Sequence, residues 1–554
     1  MKITSNKMEI KFKDSPLNVE SLFINSTDKI LCENGTQSFL IRTPKSLSDP
    51  ILLTNVGSIE ISEDRIKFQV FDPTEDYKII CTIAKTENGL KYSIDAETPE
   101  PIWLIEWKLS GLDLQKILVP ALGGQSLDKN MPAGSTLSYK YPFWWNAQFV
   151  LGETENGCLI LDGKDVSPDL KLLRVTKETN GFALSYGAEA PAPLTSNNFH
   201  SEWYLEFVEG SWENSVDYHR EWLEENFHLN SYKDNPSFPE WMNKINFVLE
   251  PWGARKSLQP SHTFKQMTER LYEFKKFHNP ENTLVYLAGF AENGIDSHAP
   301  DYNPSEQCGG REEFKKLVDE AHTLGYKVMI HTNVLALTYG HKIYDEFKKY
   351  QVIDVFERPQ GWAMDIDGDW LTEPFFAYVN PGFEEWGDYM SKMLGDLIDE
   401  FKLDAVFLDQ TLLAFNVSSG PNFLTGMRNH VKKLHKNFPN VLFAGEGLHE
   451  QVLEALPVAQ IHGIDSIAEV HGMEGQLEWR KVHPVSVYLF NKYTKFTGHL
   501  LTKHPSHPMF KLQEESYAKL GVIPTLCLYD YNQKIDLPEV HKMIERAKEL
   551  NKEG

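Results

Sequence analysis

An N-terminal antiparallel β-sandwich followed by a (β/α)8 TIM barrel is the fold class predicted by this 554-residue sequence. Three observations carry the expectation. Up to about Phe207 the chain runs in short alternating stretches such as SIEISEDRIKFQVF and YKIICTIAKTENGLKYSIDAE, broken by turn dipeptides such as Asn88-Gly89. That is the period-2 pattern of half-buried strands. Beyond Trp241 apolar runs alternate with helical periods, the rhythm of a parallel α/β architecture. Eight such units fit in the remaining chain, the number that closes a barrel.

Taken in order, residues 1–208 are expected to form the sandwich. Residues 209–240 are a linking segment, with a helix in SWENSVDYHREWLEENF that presents Val216, Tyr218, Trp222 and Phe227. The polar stretch NSYKDNPSFPEW, with two prolines, closes the linker. Residues 241–554 form the barrel. Its strands are expected at INFVLEPWG, TLVYLAGF, KVMIHTN, LDAVFLDQ, VLFAGEG, VAQIHGIDS, VSVYLF and VIPTLCLYD. TFKQMTERLYEFKKF is a helix burying Phe264, Met267, Leu271 and Phe274, and REEFKKLVDEAHTLG is a helix closed by Gly325.

Composition narrows the function. A net charge of −24 argues against nucleic acid and anionic membranes, both of which call for basic patches. It also disfavours sulfated or uronic polymers. No apolar run approaches the ~20 residues of a membrane helix. The start, MKITSNKMEIKFKDSP, has no signal-peptide core, so a cytoplasmic location is expected. Cys32, Cys81, Cys158, Cys308 and Cys527 are scattered without a C-x-x-C pair, which disfavours zinc ribbons and disulfide scaffolds. No G-x-S-x-G elbow, P-loop, H-E-x-x-H or Rossmann fingerprint occurs.

In barrels of this kind chemistry sits at the C-terminal strand ends. Strand four ends on Asp409, with QTLLAFNVSSGP intervening before the next helix, so helix capping is a poor explanation for the acid. Strand five ends on Glu446, between Gly445 and Gly447; Glu450 is a rival acid. Two carboxyls on adjacent strand tips are what glycoside hydrolysis needs, one ionised and one carrying a proton.

Further candidates line the same rim. Strand three offers His331 and Asn333 as hydroxyl binders, and strand one offers Glu250 and Trp252, the latter as a stacking platform for a sugar ring. The polar loop AENGIDSHAPDYNPSEQCGG carries Asp296, His298 and Asp301. IHGIDSIAEVHG at strand six carries Asp465, Glu469 and His471. Asp365, Asp367 and Asp369 stand at calcium-loop spacing, although Trp370 replaces the expected glycine and Asp367-Gly368 reads better as a hairpin turn. Phe143, Trp144 and Trp145 form an aromatic run that could lean over the active site or pack at the interface between the domains.

The order of sandwich, linking helix with YHREW, and barrel with VFLDQ then FAGEG resembles retaining α-glycosidases. The resemblance is to the endo-α-N-acetylgalactosaminidase-like group (glycoside hydrolase families 101 and 129), and more distantly to families 36, 31 and 13. It implies Asp409 as nucleophile, Glu446 as acid/base, exo action on a galacto-type α-glycoside, and no cofactor. The expected partner is an oligosaccharide or glycoside. Two rivals stand beside this expectation: a non-catalytic carbohydrate-binding protein, and a metal-dependent hydrolase using Asp296, His298 and Asp301.

Overall fold

The computed structural model describes residues 1–46, 49–255, 259–292, 294–363, 374–466, 475–499 and 504–553. Two compact units emerge: Met1–His228 with Gln476–Leu489, and Leu229–Gly475 with Phe490–Gly554.

The first unit is built from two antiparallel sheets that share one apolar core. Alternation does the work: Arg65–Phe71 buries Ile66, Phe68 and Val70, and its partner Lys78–Lys85 buries Ile79, Cys81 and Ile83. An aromatic cluster lies within this core, with Tyr92 stacked on Trp203 at 5.4 Å and tilted against Trp107 at 4.9 Å. Trp145 belongs to the core as well. It is fully buried, and its indole N–H donates to the Phe149 carbonyl at 2.9 Å.

The linking helix spans Trp212–Asn226 and buries Ser215, Val216, His219 and Leu223. Of the apolar and aromatic residues named above, only Val216 is fully buried. The reason is a polar anchor: His219 Nδ1 lies 2.8 Å from Asp162 Oδ2 and both side chains are fully buried. That pair, rather than the aromatic residues, sets which side turns inward.

The second unit holds eight parallel strands: Phe247–Pro251, Thr283–Leu287, Lys327–Asn333, Ala405–Asp409, Leu442–Glu446, Val458–Ile461, Lys495–Gly498 and Thr525–Leu528. They are referred to below as strands one to eight. Strand one pairs with both strand two and strand eight. Between strands seven and eight, Ile523 N–H donates to the Phe496 carbonyl at 3.0 Å and Gly498 N–H to the Ile523 carbonyl at 3.1 Å, so the ring comes round on itself. Phe264–Phe274 starts on a capping box, Thr263 with Gln266, and buries Phe264, Met267, Leu271 and Phe274 as the spacing predicts. Gly310–Leu324 ends at Gly325 with φ +100°.

The seventh strand is a correction. VSVYLF forms a helix, Val485–Phe490, and the preceding Arg480–Val482 pairs antiparallel with Gln125–Asp128 in the first unit's larger sheet. The segment's apolar run is buried, but short apolar runs do not distinguish a strand from a buried helix. The barrel strand is the less apolar KFTG that follows. After strand three, Gly361–Ala363 pairs antiparallel with Pro374–Tyr378, which also pairs with Ala336–Thr338. The intervening Asp365, Asp367 and Asp369 lie outside the described residues, as do Glu469 and His471.

Candidate active site

Side chains alternate along a strand, so the phase of the apolar residues fixes where the tip points. Ala405 and Phe407 of strand four belong to the barrel core, as do Met329 of strand three and Leu442 and Ala444 of strand five. Two residues on from these come Asp409, Asn333 (beyond His331) and Glu446. In the sheet Asn333 is level with Asp409, and Leu408 with Gly445. The Asp409 carboxyl thereby meets those of Glu446 and Asp296.

Asp296 comes from the loop after strand two and holds a left-handed backbone (φ 53°), which aspartate tolerates better than most residues. Its buried carboxylate accepts the Tyr302 hydroxyl at 3.1 Å, His331 Nε2 at 3.2 Å and Asn333 Nδ2 at 3.2 Å. His331 thus donates from Nε2, and its Nδ1 accepts the Tyr286 hydroxyl at 2.6 Å. The Asn333 amide also reaches Asp409 Oδ2 at 3.2 Å and Gln410 Oε1 at 3.0 Å, while its own oxygen accepts two backbone N–H groups.

The two strand-tip acids have opposite proton affinities. Burial, then the neighbouring Glu446 and Asp296 charges, pushes the Asp409 carboxyl well above the usual range. Burial acts the same way on Glu446. Hydrogen bonds from His462 at 3.0 Å and His499 at 3.2 Å, both to Oε1, outweigh it and hold Glu446 well below the usual range. The Gln410 backbone N–H takes Oε2 at 2.8 Å. The surroundings thus push the two carboxyls in opposite directions, Asp409 up and Glu446 down.

The glycines flanking Glu446 have packing reasons. A Cβ on Gly445 would come within 2.6 Å of both Leu456 and Thr411, and Gly447 has φ +67° with Leu412 close by. Glu450, the rival acid, is buried at the start of a short 3-10 turn, Glu450–Ala455, away from the strand tip.

The match to known families covers residues 199–500, with the description "Domain of unknown function (DUF6259)". The chain belongs to the DUF6259 family. No curated protein matches this DUF6259 chain. Among solved structures, the α-N-acetylgalactosaminidase NagBb of Bifidobacterium bifidum superposes with a TM-score of 0.73 at 12% identity, covering 100% of this chain and 92% of that one. The same enzyme solved with GalNAc gives 0.72 at 13%, with the same coverage. A GH36 α-galactosidase, AgaA of Geobacillus stearothermophilus, solved with raffinose, gives 0.51 at 10%, covering 100% and 86%. At these identities the likeness is one of fold, and it agrees with the sandwich and barrel described above.

Of the sequence-predicted residues, the structure brings Asp296, His331 and Asn333 together with Asp409 and Glu446. Asp301 points elsewhere, to the Lys342 ammonium at 2.5 Å, His341 at 3.1 Å and the Tyr389 hydroxyl at 3.3 Å. Asp465 is fully buried and accepts the Ser516 hydroxyl at 2.5 Å, on helix Phe510–Leu520. Trp252 is nearly buried and stacks on Tyr529 at 4.8 Å, so one of its faces is already covered. Glu250 is fully buried below it, where burial pushes its carboxyl well up. The donor atoms of His298, Asp301 and His341 lie within 4.8 Å of one another, close enough to hold a cation. The expected Asp296/His298/Asp301 set is split, however, because Asp296 faces the strand-tip acids.

Gln410, His462 and His499 are the residues that sequence reading missed. His462 directly follows strand six, so the strand-tip rule could have found it. His499 was hidden by the misplaced seventh strand.

Proposed function

We propose that the barrel hydrolyses α-glycosidic bonds with retention, through a glycosyl-enzyme on Asp409 and with Glu446 as acid/base. The observation that carries this reading is the pair of carboxyls at adjacent barrel strand tips, Asp409 ending strand four and Glu446 ending strand five, the first pushed up and the second held down by its neighbours. Retaining enzymes hold their carboxyls about 5–5.5 Å apart, whereas inverting ones leave about 6.5–9.5 Å for a water. Carboxyls on paired strands, with Asp409 sensing the Glu446 charge, support the former. The fold neighbours, named for α-N-acetylgalactosamine and α-galactose chemistry, support an α-linked, galacto-type substrate taken from its end.

The reacting form has Asp409 ionised and the proton on Glu446. Glu446 then gives it to the glycosidic oxygen as the C1–O bond breaks and an Asp409 oxygen bonds to C1. In the second half Glu446 takes a proton from water, whose oxygen attacks C1 and frees Asp409. Asn333 orients Asp409, His331 holds Asp296 in place, and the Asp296 carboxylate keeps acceptor capacity for a sugar hydroxyl.

The test is hydrolysis of aryl α-galactosides and α-N-acetylgalactosaminides followed by NMR of the first-formed anomer. An α-anomer as first product is expected. A β-anomer would overturn retention, and no cleavage of any aryl glycoside across both anomers would overturn the enzyme reading in favour of sugar binding alone. Loss of activity on chelation, restored by a divalent cation, would favour the His298/Asp301/His341 cluster and a metal-dependent hydrolase instead.

A further inference from the structure

We propose that His462 and His499 form a two-imidazole clamp on Oε1 of Glu446, which orients this carboxyl and governs when it can act as the acid. The proposal rests on the glycosidase reading above. The Nε2 atoms lie 3.0 and 3.2 Å from the same oxygen, with the ring centroids 4.2 Å apart and tilted by 35°. With the Gln410 backbone N–H on Oε2 at 2.8 Å, three N–H groups converge on one carboxylate. Such a set fixes one orientation and favours the ionised form.

The barrel supplies the convergence. Strands six and seven pair with Gln460 level with Thr497 and Ile461 with Gly498, so His462 and His499 leave the sheet side by side. The His499 backbone N–H is held by the Tyr517 hydroxyl at 3.2 Å. A Cβ on Gly447 would stand 3.4 Å from His462 Nδ1, so the glycine leaves that ring its place.

Each imidazole donates only with hydrogen on Nε2. Two rings this close resist a second added proton on both, since like charges disfavour it. The titratable groups that the described residues set toward the clamp are Asp409 from strand four and Asp296 from the strand-two loop. Tyr286, Tyr378 and Tyr517 complete the set, the first two sensing the Glu446 charge. All of these are acids or neutral hydroxyls, so the imidazoles are the described groups that favour the Glu446 anion electrostatically. While both donate, the acid form of Glu446 exists only toward lower pH.

The experiment is the pH dependence of kcat/KM for an alkyl glycoside, whose departure needs an acid, in His462→Asn, His499→Asn and the double variant. Because Glu446 is the carboxyl held down and Asp409 the one held up, Glu446 sets the acidic limb, which is expected to move up by about one pH unit for each imidazole removed. A dinitrophenyl glycoside, whose leaving group departs unaided, should show no such movement. A uniform loss at all pH values with both limbs unmoved would reduce the pair to a structural role and overturn the proposal. A second readout needs no activity: in Glu446→Gln, NMR titration of the two imidazoles should fall to lower pH than in wild type. Unchanged titration would overturn the clamp even if the enzyme is a glycosidase. A wild type that cleaves nothing, with imidazole titration that does move, would sink the glycosidase reading alone.

Discussion

The backbone N–H of Gln410 donates to Oε2 of Glu446 at 2.8 Å, tying the tip of strand four to the tip of strand five. Gln410 reaches that position with φ 65°, a left-handed turn immediately after Asp409. Its side chain adds a bond from Asn333 at 3.0 Å and one to the Tyr378 hydroxyl at 3.2 Å. Gln410→Gly keeps both the turn and the N–H and loses only the side-chain bonds, so kcat/KM for an aryl glycoside should fall roughly tenfold. Gln410→Pro removes the N–H and cannot adopt the turn, so activity should vanish. Similar losses in the two variants would show that the backbone bond is irrelevant.

Asp296 and Asn333 act on Asp409 in opposite senses. Asp296 holds the Asp409 carboxyl up through its charge. In Asp296→Asn that charge is gone, Asp409 ionises more readily, and the basic limb of the pH–rate profile, set by the higher ionisation of the pair, should move to lower pH. Asn333→Asp adds a further carboxylate 3.2 Å from Asp409 Oδ2 and should move the same limb upward. Limbs that move together, or stay still, would disconnect both residues from Asp409.

Asp409→Asn should lose activity toward every leaving group, on the order of 10³-fold or more. Glu446→Gln should lose comparably toward alkyl glycosides but keep most of its glycosylation rate with dinitrophenyl leaving groups. Steady-state assays on the two substrate types separate these cases, and exchanged behaviour would exchange the roles of the two acids.

Buried histidines make the fold acid-sensitive. His430, on helix Phe423–Asn437, is held down to about 4 by burial, with Lys433 adding to the effect. The unfolded chain takes up this proton first, near the ordinary value of about 6.5. The contribution to stability is therefore complete above that pH and is lost as pH falls through it toward 4, reaching about 3 kcal/mol. Thermal melting between pH 7 and pH 4 should show a steeper decline in wild type than in His430→Leu. Parallel curves would place the acid sensitivity elsewhere; His435, also held down to about 4 by burial, is the next candidate.

Much of the site is legible in local pattern. In VFLDQ and FAGEG the acid follows the inward-facing residues at the strand's own period, and side-chain alternation needs no knowledge of the rest of the chain. The same holds for His331 and Asn333 in MIHTN, and for the buried face of Phe264–Phe274. The linking helix departed from its expected face because its anchor, Asp162, is 57 residues away from His219. A periodicity argument cannot contain such a partner.

The amino-acid sequence alone thus determined the two-part architecture, the strand tips and the pair of acids, because period and turn chemistry are local properties. Only the tertiary structure decided which residues surround those acids. His499 reaches Glu446 across 53 residues and Asp296 meets Asn333 across 37, and both meetings depend on the ring of strands closing. The electrostatics followed from the same closure. Two imidazoles gather on Glu446 and hold it down, while the Glu446 and Asp296 carboxyls crowd Asp409 and push it up. Proton affinity is set by burial and neighbouring charge, and neither exists until the barrel has formed.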